Sequence, residues 1–207
     1  MSTAPLTIID YGGGNLASLE GALEAFGMPF VRAAAPSDAA VRGPLVLPGD
    51  GHFSTARKGL VDSGWWEALP PLAAAGRALL GICVGLQLLA EGSEEAPGEA
   101  GLGLLPGSVR RLGPGVKVPH MGWARVRPAQ FHPAFGDEGE GWLYFVHGFA
   151  LEVNEATLLT AEHGRPFAAA AGRGQILGFQ PHPEKSGLSG RALLRRALAW
   201  LAAEERP

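Results

Sequence analysis

The 207-residue chain has a single cysteine. One thiol closes no intramolecular disulfide, which suits a reducing compartment, and a chain of this length buries a full core without such staples. Charge is sparse as well: Asp, Glu, Lys and Arg make up 18% of the residues, and the net charge is −3. No basic field exists to hold a phosphate backbone, so no nucleic-acid partner is expected. Long apolar runs are missing too. The central one, residues 78–90, falls short of the ~20 residues that cross a bilayer, so no membrane association is expected. The first ten residues carry neither a charged flank nor a long apolar segment, and no export signal is read there. A cytoplasmic protein is expected.

What the chain does have is a 46% hydrophobic fraction, 31 glycines and 17 prolines. That glycine and proline content lies below the disordered range, and the apolar fraction argues the same way. The length predicts one domain over residues 1–207. Leu6-Thr7-Ile8-Ile9 reads as a buried strand that meets a glycine turn at Gly12-Gly13-Gly14. Leu16, Leu19, Leu23 and Phe26 recur at helical spacing until Gly27. Residues 45–47 and 78–82 read as strands. Residues 53–61, 65–75 and 84–91 read as helices. Alternating strands and helices predict an α/β domain with a mixed, mainly parallel sheet. Residues 93–141 break that rhythm and read as hairpins and loops. Strands are expected over 142–146, 158–160, 167–171 and 175–179, closely spaced enough to be antiparallel additions, and a closing amphipathic helix over 191–204.

Cys83 is the strongest chemical signal. It stands where a strand turns into a helix, within Gly81-Ile82-Cys83-Val84-Gly85, which has the form of a nucleophile elbow with sulfur for hydroxyl. The two glycines allow the sharp turn, and a helix N-terminus favours a thiolate. A nucleophile needs a base and an orienting group. Gln180-Pro181-His182-Pro183-Glu184 offers both. Residues before proline lean to extended backbone, and residues two apart on an extended chain share a side, so His182 and Glu184 should project together. In open α/β sheets such groups meet at the carboxyl ends of strands. Pro48-Gly49-Asp50-Gly51 also follows a strand, and its backbone N–H groups, with that of Val84, would form an oxyanion hole. His120 and His147 are read as structural residues near the cleft, and His52, His132 and His163 as solvated. No metal-ligand spacing is present, so no metal is expected. Gly12-x-Gly14-x-x-Ala17 matches a dinucleotide fingerprint, but the acidic residue it needs at the end of residues 30–33 is absent.

Gly81-Ile82-Cys83-Val84-Gly85-Leu86-Gln87 and Gly178-Phe179-Gln180-Pro181-His182-Pro183-Glu184-Lys185-Ser186 resemble the two site motifs of class I (triad) glutamine amidotransferases. The segments Ile9 to Leu16, Pro119-His120-Met121-Gly122-Trp123 and Tyr144-Phe145-Val146-His147 are similar to those of the glutaminase subunits of imidazole glycerol phosphate synthases. The resemblance implies a flavodoxin-like three-layer fold. It implies hydrolysis of glutamine to glutamate and ammonia through a Cys83 thioester, with no cofactor. Ammonia would pass to a (β/α)8-barrel cyclase subunit in a heterodimer, for a step of histidine biosynthesis. Gln87 and Glu95, with backbone at Gly148 and Phe149, would bind glutamine. Asn15, Trp123, Tyr144 and Lys185 would face the partner and the ammonia route. Activity of the chain alone is expected to be weak.

Three segments depart from the family pattern. Asp50 stands in the oxyanion turn where a small apolar residue is usual. Pro181 replaces an aromatic before His182, and Gly148-Phe149 replaces a more polar pair. An amidotransferase serving another synthase, and a binding module with a dead site, are the alternative readings. The Pro119 to Trp123 segment argues against the first, and the complete Cys83, His182 and Glu184 set against the second.

Overall fold

The computed structural model describes residues 4–40, 42–136 and 140–204. The ends of the expected 1–207 domain, and part of the expected loop region before residue 141, lie outside the described residues. Five strands form the parallel half of a large sheet: β1 (Leu6–Ile9), β2 (Phe30–Ala33), β3 (Leu45–Leu47), β4 (Leu79–Ile82) and β12 (Ile176–Phe179). Strands β7 (His120–Pro128), β8 (Gly141–His147), β10 (Thr157–Glu162) and β11 (Pro166–Arg173) extend it in antiparallel sense. The order is β2-β1-β3-β4-β12-β11-β10-β7-β8. A second sheet joins β5 (Gly92–Ser93), β6 (Ser108–Arg111) and β9 (Phe149–Leu151).

Burial explains the two halves. Every residue of β1, β3 and β4 is buried, as expected of parallel strands covered on both faces. Helices α2 (Phe53–Asp62), α3 (Trp65–Ala74) and α4 (Val84–Leu89) pack together as one group. Helices α1 (Leu16–Ala25) and α5 (Gly187–Glu204) gather around a 3₁₀ turn at Pro183–Lys185. Strands β7 and β8 instead alternate buried and open positions, so one face of this edge hairpin is left bare. The register pairs Leu47 with Gly81 and Ile82 with Phe179. The carboxyl ends of β3, β4 and β12 therefore lie level and side by side.

Two sequence expectations need correction. The helix expected over 84–91 stops at Leu89, because its last carbonyls are taken by the following loop. Leu102 N donates to Leu88 O, Leu104 and Leu105 N to Leu89 O, and Gly103 N to Ala90 O. With those acceptors satisfied from outside, no further helical turn is needed. The strand expected over 175–179 is not simply an antiparallel addition: β12 is antiparallel to β11 but parallel to β4, so it joins the two halves of the sheet. Residues 93–141, read as hairpins and loops, contain β6 and the nine-residue β7.

Candidate active site

The three level strand ends supply the site. Beyond β4 the chain turns at Cys83, the one non-glycine residue with positive φ among the described residues (φ 55°, ψ −111°). Such a conformation costs on the order of 1–3 kcal/mol and persists only where its surroundings impose it. Glycines let those surroundings close in. A Cβ on Gly85 would lie 2.1 Å from Leu47 O, and one on Gly49 would lie 2.3 Å from Gly85 N. The end of β3 is thus pressed against the start of α4, and Cys83 N donates to Phe179 O at 2.7 Å across to β12.

Beyond β12, His182 is held from both sides. Its N–H donates to Tyr144 O at 3.0 Å. Its carbonyl accepts from Ser186 Oγ at 2.6 Å, and that hydroxyl accepts in turn from Tyr144 N at 2.8 Å. Nδ1 of His182 lies 2.8 Å from Glu184 Oε1, and both side chains are buried. The expected pairing is present, but not through an extended chain. Pro183 to Lys185 is a 3₁₀ turn that begins on proline, whose fixed φ suits a first helical position. The turn folds Glu184 back onto the imidazole. Its other oxygen, Oε2, is buried without a hydrogen-bond partner.

Burial opposes charge on His182, but interactions with the Cys83 sulfur and the Glu184 carboxylate outweigh it and raise the pKa to about 10. The site therefore favours an imidazolium at neutral pH. Burial lowers His147 to about 3 and His120 to about 4, so both stay neutral.

The Cys83 sulfur opens on a pocket of about 200 Å³. Asp50, Gly51, Val84, Gln87, Glu95, Gly148 and Phe149 line it, as do Pro119, Val146 and His147. Several of the expected binding groups are already engaged. Glu95 Oε2 accepts from Phe53 N at 2.9 Å, and Oε1 lies 3.9 Å from His52 Nε2. Gly148 O accepts from Leu112 N. Phe149 O accepts from His147 Nδ1 and Gln87 Nε2, each at 2.9 Å. Gly51, expected as an oxyanion donor, gives its N–H to Asp50 Oδ1 at 2.8 Å.

The expected partner-facing residues lie away from the pocket lining. Asn15 is exposed and caps α1 by accepting from Ser18 N. Trp123 and Tyr144 pair across the β7–β8 hairpin, with ring centroids 6.0 Å apart. Lys185 is half-buried in the turn after His182. His163, read as solvated, instead stacks on His120 at 4.1 Å and bonds Lys117 O. His52 and His132 take backbone N–H groups of Ser54 and Ala134. Among the described residues, no group of three His, Cys, Asp or Glu is placed to hold a metal ion, and no helix is long and apolar enough to cross a membrane.

A family model for class-I glutamine amidotransferases matches residues 7–199. The chain belongs to this family. Curated relatives include the imidazole glycerol phosphate synthase subunit HisH of Symbiobacterium thermophilum, 46% identical over 197 residues and covering 92% of each chain. The HisH subunit of Thermus thermophilus is 42% identical, over 92% of this chain and 94% of its own. A solved glutamine amidotransferase superposes with TM-score 0.76 at 21% identity, covering 96% of this chain and 98% of that one. The Thermotoga maritima PurLQS structure gives TM-score 0.74 at 20% identity, covering 97% of this chain and 100% of that one. These structures share the fold.

Sequence reasoning missed three contacts within this amidotransferase site. Tyr11 OH donates to Pro48 O at 3.0 Å beside the Gly49-Asp50-Gly51 turn, and burial, with Cys83 and Asp50 nearby, pushes its pKa up. The Val146 carbonyl lies 3.9 Å from the Cys83 sulfur. Gln180, fully buried, sits between that sulfur and Gln87. No sequence signal marked it: Gln180 follows Phe179 as Cys83 follows Ile82, but only the folded register brings those strand ends together.

Proposed function

We propose that this chain is the glutaminase subunit of an imidazole glycerol phosphate synthase. The observation that supports this chemistry is the pairing of the ends of β4 and β12, which brings Cys83, on the wall of a pocket of about 200 Å³, level with the segment that carries the carboxylate-held imidazole of His182. Cys83 attacks the side-chain amide carbon of glutamine as a thiolate. His182 returns the proton to the departing ammonia, and Glu184 holds the imidazole in orientation and balances its charge. Water then cleaves the thioester with His182 as base. The developing oxyanion falls to the Val84 N–H and to the Gly49-Asp50-Gly51 turn. Gln87 and Glu95, with the Gly148-Phe149 backbone, bind the amino-acid end. No cofactor takes part.

The ammonia would pass to a (β/α)8-barrel cyclase in a cytoplasmic heterodimer. The hairpin face that carries Met121, Trp123 and Trp142, each more than half exposed, supports a docking surface there. Asn15, Tyr144 and Lys185 would complete it along the ammonia route. Because Gly51 N–H is committed to Asp50, turnover by the chain alone is expected to be weak and to rise when the partner rearranges the turn.

The test treats the protein with a glutamine-mimicking electrophile and locates the adduct by mass spectrometry, with Cys83→Ser as control. Labelling at Cys83, glutamate release in the presence of the cyclase, and rescue of a histidine auxotroph support the reading. A protein that releases no glutamate with its partner present is a binding module instead.

A further inference from the structure

Gln180 belongs to no part of the mechanism above, yet both ends of its carboxamide are committed. Nε2 lies 3.8 Å from the Cys83 sulfur as donor, and Oε1 accepts from Gln87 Nε2 at 3.2 Å. Gln87 Nε2 also donates to Phe149 O at 2.9 Å, so both its hydrogens are used and Oε1 is the acceptor left for a ligand. The chain of bonds has one polarity. It starts at a backbone carbonyl, which only accepts. That forces Gln87 to present its NH₂ inward, which forces Gln180 to answer with its carbonyl, which leaves the Gln180 NH₂ facing sulfur. Were Gln180 reversed, two NH₂ groups would oppose each other and a carbonyl would face the nucleophile. The backbone allows no retreat: Gln180 N donates to Ala169 O at 2.9 Å, and the residue is fully buried.

We propose that Gln180 is a positioning residue. Its N–H bond to the Cys83 sulfur favours the thiolate, while its carbonyl locks the Gln87 carboxamide with Oε1 toward the glutamine pocket. A donor to an ionised acceptor is worth more than one to a neutral acceptor, so the contact strengthens as the thiol ionises. The proposal rests on the reading of Cys83 as the glutaminase nucleophile.

The single cysteine makes the test direct, because iodoacetamide alkylation of the full chain reports Cys83 alone. Gln180→Glu keeps the acceptor toward Gln87 and puts an oxygen against sulfur. Gln180→Met removes both polar ends at similar length. The other ionisable groups around the sulfur are His182 with Glu184, Tyr11 from the end of β1, Asp50 and Glu95 at the pocket wall, and His147 from β8. They are the same in all three proteins. The midpoint of the alkylation–pH profile should rise by about one unit in Gln180→Met and further in Gln180→Glu, a tenfold loss of thiolate per unit. For glutamine hydrolysis, kcat should fall about tenfold in both, and KM should rise in Gln180→Met alone. A folded Gln180→Met protein whose profile superimposes on that of the unaltered chain overturns the proposal. So does an NMR titration of the unaltered chain in which the Gln180 side-chain amide protons fail to shift with the alkylation midpoint, a result that needs no variant to fold. An unaltered chain that shows these shifts but turns over no glutamine with the cyclase would defeat the glutaminase reading and leave the sulfur contact standing.

Discussion

Gly51 gives its N–H to the side chain one position before it. In the oxyanion role proposed above, that N–H is already taken by a carboxylate. Removing it should help. Asp50→Ala is expected to raise kcat for glutamine in the isolated chain about tenfold with little change in KM, since a single oxyanion donor is worth at least that much. Steady-state glutamate release measures it, and an unchanged or lower kcat contradicts the account. Glu184 works in the opposite direction. Glu184→Gln keeps an acceptor for His182 Nδ1 but removes the charge that supports the imidazolium, and it brings an amide to the place where Oε2 lies buried and unpartnered. A loss of ~10²–10⁴ in kcat is expected, along with a fall in the pKa of His182 that NMR titration of the ring would detect. At this scale much of the site was legible. Gly81 and Gly85 framed Cys83 because only glycine tolerates their neighbours: for Gly81 these are local, in Gly85 and Leu86, while for Gly85 they come from Leu47 on β3. The Asp50 contact and the Gln180 chain were not legible, because they depend on which way a side chain turns after folding.

Elements place these residues, and one small element carries much of the task. The turn at Pro183–Lys185 is clamped to β8 by the His182 N–H on Tyr144 O and by the Ser186 hydroxyl, which bonds both His182 O and Tyr144 N. Ser186→Ala leaves the Tyr144 N–H short of a partner, while His182 O keeps the Lys185 N–H, a loss of about 1–3 kcal/mol. Urea unfolding should show that loss, and kcat should drop because the segment that carries the imidazole loses one of its two ties to β8. A variant with unaltered stability would contradict the clamp. The same turn shows how sequence reading succeeds for an incomplete reason. The prolines on either side of His182 did predict that Glu184 would reach it, but Pro183 opens a helical turn instead of continuing a strand. Strand β12 makes a similar point. Its short apolar run was visible, whereas its parallel partner, β4, is some hundred positions earlier in the chain and only topology brings them together.

For the molecule as a whole, buried histidines set a pH dependence. His182 has its pKa raised to about 10 in the fold. Its contribution to stability is complete below the unfolded value near 6.5 and is lost as pH rises from there toward 10. His120 and His147 are lowered to about 4 and about 3. They are neutral in the fold, so as pH falls below 6.5 the unfolded chain takes up protons first and stability is lost toward pH 3. The melting temperature should peak near pH 6.5 and decline on both sides. Calorimetry from pH 4 to pH 10 checks this, and a curve still rising at pH 9 would contradict it. The α/β class was legible at this scale from the alternation of apolar strands and amphipathic helices. The antiparallel wing was only sketched, since β7 lies in a glycine- and proline-rich stretch whose strand pattern is broken by Gly122 at φ 146°.

That wing has a consequence of its own. The nucleophile and base proposed above stand at the ends of β4 and β12 near the middle of the sheet, while the bare aromatic face of the β7–β8 hairpin lies at its edge, touching the site through Tyr144, Val146 and His147. If the docking surface proposed above is this hairpin, a graft of a foreign hairpin tip onto β7 and β8, outside the contacts of Tyr144, Val146 and His147 with the site, would change the partner and leave the pocket intact. In such a chimaera, choice of customer and the making of the reactive nitrogen become separately adjustable parts.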